Sequence, residues 1–250
     1  MSILIKNDQE IELMREAGKI VALTHQLIER NIKAGMKTLE LDQIAEEFIR
    51  SKNAQPSFKG YNGYPASICV SINSEVVHGI PSKHRRIEEG DIVSIDIGAM
   101  YKGYHGDAAR THSIGRISEE ATHLIKITEE SFYEGIKMAK AGNHLHQISE
   151  AIQNYVENNG CSVVRDLVGH GIGKDMHEEP QIPNYKPIGR GPKLQKGMVL
   201  AIEPMVNAGR YEVRVLEDDW TVVTLDKSLS AHYENTILIT EDGYELLTVV

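Results

Sequence analysis

The sequence is short of cysteine, of long apolar runs and of net positive charge, and each shortage closes a class of answer. Two cysteines in 250 residues, Cys69 and Cys161, are too few for a disulfide framework and lack the CxxC spacing of a redox or zinc motif. Both read as small buried hydrophobes. No segment approaches the roughly 18 to 20 apolar residues of a membrane helix, so no membrane partner is expected. The N-terminus "MSILIKNDQEIELMREAG" turns acidic and amphipathic where a signal peptide would become apolar, which makes the cytoplasm the expected compartment. A formal net charge of −9 argues against sequence-specific or broad nucleic-acid binding. "KHRR", Lys83 to Arg86, is a short basic patch able to touch an RNA-rich partner, although it reads first as a solvated loop. What is present, 41% apolar residues, supports a substantial core in one large domain or two small ones.

Along the chain the same order of elements comes twice. A helix opens at Asn7, answered by Glu10 in a capping box, with the stripe Ile11, Met14, Ala17, Val21 and Ile28. A second carries Leu41, Ile44, Ala45, Phe48 and Ile49 on one face, and "ASICVSIN" and "DIVSIDIGA" then alternate as strands. Helices recur near 118–140 from Ser118 and near 143–159 from Asn143, followed by strands at "SVVRDLV" and "MVLAIEPMV". A shift of 107 residues lays "KAG" at 33–35 on "KAG" at 140–142, and "IEEGDIVSIDI" on "LQKGMVLAIEP", with Asp96 falling on Glu203. The expectation is a pseudo-symmetric α+β domain whose two acids meet near its axis.

Those acids need a reason to be where they are. Alternation puts Val93, Ile95 and Ile97 on one face of a strand and Ser94, Asp96 and Gly98 on the other. A hairpin turning about Tyr101 and Lys102 sets Asp96 directly across from Asp107, where like charges repel unless a cation lies between them. The plainer alternative pairs one acid with Arg110 or leaves it in water. Glu203 in "VLAIEPMV" and Glu234 in "SAHYENTILIT" also sit in apolar runs, and burying several carboxylates together costs several kcal/mol per ion unless cations neutralise them. In "VGHGIGKDMHEEP" the position four after His177 is Gln181, which excludes HExxH, and the glycine spacing excludes a P-loop. Glycines on both sides of His170 instead point to a loop that turns sharply and brings an imidazole close to something else. One histidine among four carboxylates suits manganese, iron, cobalt or zinc with open positions. His78 and His177 read either as substrate-facing hydrogen-bond partners or as surface histidines.

Taken together, "NSEVVHGIP", "GDIVSIDIGA", "GYHGDAART", "GHGIGKDMHEEP", "AIEPMVNAG" and "YENTILIT" resemble type I methionine aminopeptidases of the minimal bacterial form, over essentially the whole chain. The resemblance implies the pita-bread fold: a pseudo-two-fold duplicated antiparallel sheet with helices on its outer face. It implies a single catalytic domain, 1–250, with halves of about 1–113 and 114–250. It implies two divalent ions held by Asp96, Asp107, His170, Glu203 and Glu234, and a methionine pocket of Phe58, Tyr61, Tyr64, Cys69 and Trp220. Met176 departs from the aromatic residue expected in that wall. The implied activity removes an N-terminal methionine when the second residue is small. Glu203 would carry the proton, His177 would face the developing oxyanion, and His78 would face the scissile amide. Nascent-chain N-termini are the implied partners, with the ribosome surface nearby, and the implied state is a monomer. Two alternatives stand beside it: a proline-specific relative, usually with a large extra N-terminal domain, and a metal-free binding protein on the same fold.

Overall fold

Asn7 caps helix α1 (Asp8–Asn31): its side-chain oxygen accepts from the Gln9 and Glu10 amides at 3.0 and 3.1 Å, while Glu10 accepts from the Asn7 amide at 2.9 Å. The structure, a computed structural model describing residues 2–250, thus realises the expected capping box, and the whole stripe from Ile11 to Ile28 is buried. Helix α2 (Thr38–Ser51) buries Leu41, Ala45 and Ile49, and α3 (Glu119–Ile136) opens at Ser118, whose hydroxyl accepts from the Ala121 amide. Helix α4 (His146–Asn158) starts later than the expected Asn143. The reason lies in a distant stretch of chain: His144 bridges Lys193 and Asn143 O accepts from Leu194 N, so these two residues are held against the strand-like segment and the helix opens only after them.

The 107-residue repeat extends to individual hydrogen bonds. Gly35 N donates to Ile87 O and Ile87 N to Met36 O, and 107 residues on Gly142 N donates to Leu194 O and Leu194 N to Asn143 O. Lys37 N reaches the Glu40 side chain at 2.6 Å, and His144 N reaches Gln147 at 2.7 Å. One core cluster holds Leu41, Ala45, Val93, Ile95 and Ile97, and a second holds Ile148, Ile152, Leu200 and Ile202. Each half thus has its own helix-on-sheet core, while Ile11 and Met14 of α1 join a third cluster with Val199, Ala201 and Leu238 of the other half.

The first half's sheet is built on the hairpin Ile92–Tyr101 and Tyr104–Ser113, flanked by Ile68–Ile72 and Gln55–Pro56. Its turn is Lys102–Gly103, one residue later than expected, because both turn residues take positive φ, 49° and 84°, as a two-residue hairpin turn with a matching twist requires. The register therefore slips by two: Asp107 faces Gly98, and Asp96 faces Ala109. A slip of two preserves faces, so the two acids remain diagonal neighbours on one side. The second half's sheet has five strands in the order Tyr244–Leu246, Asn235–Ile239, Val199–Ile202, Gly169–Gly171, Glu178–Ile182. "SVVRDLV" does not form one strand: only Ser162–Val163 pairs, with Met205–Asn207 in a separate small sheet.

Two neighbouring strands of this half break at the same level. "VLAIEPMV" splits at Glu203–Pro204, where Pro204 has no amide to donate, and the chain opposite splits at Tyr233–Glu234. Glu203 and Glu234, expected inside apolar strands, thus lie outside them, at the seams between two sheets. The "KHRR" patch is only partly solvated: Arg85 pairs with Glu75, and Arg86 donates to Gly35 O at 2.6 Å. Cys69 and Cys161 are both free and buried. Among the described residues no helix is long and apolar enough to cross a membrane.

Candidate active site

His170 comes from an interior strand of the five-stranded sheet and not from a loop: Gly169–Gly171 pairs with Val199–Ile202 on one side and with the edge strand Glu178–Ile182 on the other. The flanking glycines serve close approach. A Cβ on Gly169 would lie 2.5 Å from Ala201 O, and one on Gly171 would lie 2.2 Å from Glu179 O. Gly171→Ala is accordingly expected to destabilise the protein by about 1–3 kcal/mol and to displace His170, readable as a lower denaturation midpoint together with reduced metal content.

The His170 ring is fixed by its backbone. Nδ1 lies 2.9 Å from Gly171 O, and because a carbonyl only accepts, Nδ1 carries the proton and Nε2 is bare. That bare nitrogen lies 3.6 Å from Glu203 Oε1 and 4.0 Å from Asp107 Oδ2. Asp107, His170 and Glu234 each offer a ligand atom within 4.8 Å of the others, and all three are buried. Asp96 joins them from two residues along the hairpin. Among the described residues no lysine or arginine pairs with these carboxylates: Arg110, the natural candidate, spends its N–H groups on the carbonyls of Ala109 and Glu234 and on Asn235 Oδ1.

Unneutralised, the cluster holds protons. Burial pushes the Asp96 carboxyl up to about 6, opposed by His232 and aided by the charge of Glu203. Burial lifts Glu203 to about 8. Asp107 and Glu234 rise well above the carboxylate range, first through burial and then through the neighbouring acids. His170 is pushed down to about 3 by burial, with His177 adding to the effect. Asp96 Oδ1, Asp107 Oδ1 and Glu234 Oε1 are buried with no hydrogen-bond partner among the described residues. Such oxygens are costly unless a cation meets them.

Beside the cluster lies a cavity of about 370 Å³. It is lined by the acids and His170, by Phe58, Tyr61, Tyr64, Cys69, Met176 and Trp220, and by His78 and His177, the candidate ligand, pocket and substrate-facing residues of the sequence. Cys69 arrives there because it pairs with Asp96 across the strands, and Gly98 leaves room for the Phe58 ring, whose Cε1 would lie 2.7 Å from an added Cβ. His177 is exposed, with Nδ1 2.8 Å from the Tyr61 hydroxyl and its ring 4.2 Å from that of His170. His78 sits at φ 61°, pushed by burial to about 4 and hence neutral, 6.3 Å ring to ring from Trp220. Three contributors escaped the sequence reading. His232 places Nε2 3.6 Å from Glu203 Oε2, Thr236 exchanges two hydrogen bonds with the Asp107 backbone, and Asn62 completes the lining. Only His232 left a trace, two residues before Glu234 in "AHYEN".

A family model for metallopeptidase family M24 matches residues 12–241. The methionine aminopeptidase of Clostridium acetobutylicum is 62% identical over 247 residues, covering 99% of each chain. The chain belongs to the methionine aminopeptidases of metallopeptidase family M24. The solved methionine aminopeptidase of Thermotoga maritima superposes on this M24 chain with a TM-score of 0.98 at 48% identity, covering all of both. The prolidase of Pyrococcus furiosus superposes with a TM-score of 0.77 at 27% identity, over 98% of this chain and 65% of that one. The architecture is the pita-bread fold, and the enzyme is a metal-dependent hydrolase. The orphaned carboxylate oxygens and the bare His170 nitrogen form a donor set that fits a divalent cation.

Proposed function

We propose that this enzyme hydrolyses the peptide bond after an N-terminal methionine when the next residue is small, with two divalent ions held by Asp96, Asp107, His170, Glu203 and Glu234. The observation that carries the reading is one cavity with two unlike ends. Phe58, Tyr64, Cys69, Met176 and Trp220 make an apolar end for a thioether, and the buried acids with His170 make the other. Bound divalent ions supply Lewis acidity, polarising a carbonyl and lowering the pKa of water. Glu203, with one oxygen towards His170 and the other towards His232, takes the proton released from water and returns it to the leaving amine. His177 Nδ1 lies 2.8 Å from the Tyr61 hydroxyl; with that hydroxyl as the donor, Nε2–H is left to donate to the oxyanion. Neutral His78 hydrogen-bonds the scissile amide.

Tyr61→Phe is therefore expected to lower kcat roughly tenfold while leaving metal content unchanged, since it loosens the donor and not the ligands. The deciding assay is kcat/KM on Met-Ala-Ser and Ala-Pro peptides, with cobalt, manganese, iron and zinc in turn, without oxygen. Activity confined to Ala-Pro would transfer the chain to the proline-specific branch. Nascent chains in the cytoplasm, met near the ribosome by a monomeric enzyme, are the substrates this reading supplies.

A further inference from the structure

A second cavity, of about 360 Å³, lies between α1 and α3, lined by His25 and Glu29 from the first helix and by Thr128 and Glu129 from the other. His232 links it to the catalytic cavity, lining this one while its Nε2 lies 3.6 Å from Glu203 Oε2. His25 is 6% exposed, with Nε2 2.8 Å from Ala108 O. The carbonyl only accepts, so Nε2 carries the proton and Nδ1 is a bare lone pair, buried and without a partner among the described residues. His112 Nε2, on the same cavity, is buried and unpartnered too.

The fold does not require imidazole there. The residue 107 positions after His25, at the matching place on the pseudo-equivalent helix, is Phe132, fully buried in hydrocarbon. An unsatisfied imidazole in the first half therefore stands against an apolar solution available in the second.

The walls accept hydrogen bonds and have few left to give. The hydroxyls of Thr111, Thr128 and Thr248 donate to His232 O, Leu124 O and Asn235 Oδ1. Arg110 spends its N–H groups elsewhere, as described, and stacks 4.3 Å from the Tyr233 ring centroid. At the rim Glu29 and Glu129 are exposed, with no ion-pair partner among the described residues. Burial, with the positive charge of Arg110 adding to it, holds His112 at about 4 and His25 well below its ordinary value, so both are neutral at pH 7, and the negative charge that would attract a cation comes from the rim acids Glu29 and Glu129. An anion finds no free donors of strength here. A single metal ion is not matched either, since three ligand atoms converge within 4.8 Å only at Asp107, His170 and Glu234 among the described residues.

We propose that this cavity binds a small organic dication of the linear diamine class. One ammonium donates to His25 Nδ1, and the other donates to His112 Nε2 and the rim carboxylates. The reading is independent of the hydrolytic site and goes beyond it.

The test titrates the metal-loaded enzyme, zinc form and ¹⁵N-labelled at histidine, with 1,4-diaminobutane, using sodium chloride at matched ionic strength as control. Saturable shifts of the His25 and His112 ring nitrogens are expected. His25→Phe, which installs the side chain already used at Phe132, is expected to weaken binding about tenfold or more while kcat/KM on Met-Ala-Ser stays at the wild-type value. Should His25→Phe fold poorly, Glu29→Gln at the exposed rim is expected to weaken binding about threefold. No saturable shift, shifts confined to His170 and His177, or unchanged affinity in the folded variant would each overturn the proposal.

Discussion

Asp107→Asn is expected to lower turnover of Met-Ala-Ser by at least about 10³-fold and, in the same protein stripped of metal, to raise the melting temperature. The two signs come from one cause. Asp107 is buried against Asp96 and Glu203 with an unpartnered Oδ1. With cations present its charge is what the site is for; without them it is one more buried acid to protonate or repel. Removing it from the metal-free protein should stabilise by roughly 1 kcal/mol, or about 2–4 °C in Tm for a chain of this size. The pH dependence follows from the same acids. Asp96 at about 6 and Glu203 at about 8 lie above their values in the unfolded chain, so the folded metal-free protein holds protons that the unfolded chain has already released. Above about pH 7, where the buried histidines are neutral in folded and unfolded chains alike, stability is therefore expected to fall as pH rises towards 8, the reverse of a salt-bridged carboxylate, and adding a divalent ion should reverse the trend; below that the depressed histidines, His170, His78, His112 and His25, pull the other way. Metal-free calorimetry showing Asp107→Asn less stable than wild type, or stability rising with pH above about 7, contradicts the assignment.

His177→Ala is expected to lower kcat by about 10² to 10³ with metal content intact, because it removes a donor aimed at developing charge and no ligand. His78→Ala should behave alike in metal content and fall less in kcat, since an amide contact carries less charge than an oxyanion. KM should move little in either variant, the apolar end of the cavity being untouched. Elemental analysis beside steady-state kinetics separates these from the ligand variants. Loss of metal in His177→Ala would make it a ligand and undo the division of labour between the two histidines of "GHGIGKDMHEEP".

The repeat was readable because a 107-residue shift preserved chemistry as well as hydrophobicity: glycines needing positive φ fall on one another, Gly35 on Gly142 and Gly90 on Gly197. Helix starts at Asn7 and Ser118 were readable because capping is local. Errors came where a long-range partner sets the structure. Helix α4 starts at His146 since Asn143 and His144 are tied to residues 193–194. The hairpin register turned on which two residues bear positive φ, a choice that Tyr101–Lys102–Gly103 leaves open until the strand twist is known. His170 looked like a loop residue because glycine is ambiguous, serving turns and close packing alike.

Alternation, capping and the repeat, all properties of neighbours along the chain, determined the α+β class, the duplicated halves and the unusual burial of four acids. Tertiary structure decided how those acids meet: Asp96 and Asp107 by register, Glu203 and Glu234 at two matched strand breaks, His170 in mid-sheet with its tautomer set by Gly171. It also decided what no local pattern encodes, namely His232 against Glu203 and an Arg110 that lies beside the cluster yet pairs with none of its carboxylates. Periodicity says which face a side chain takes, whereas a charge's energy depends on every group within a few ångströms, and those groups come together only when the chain folds.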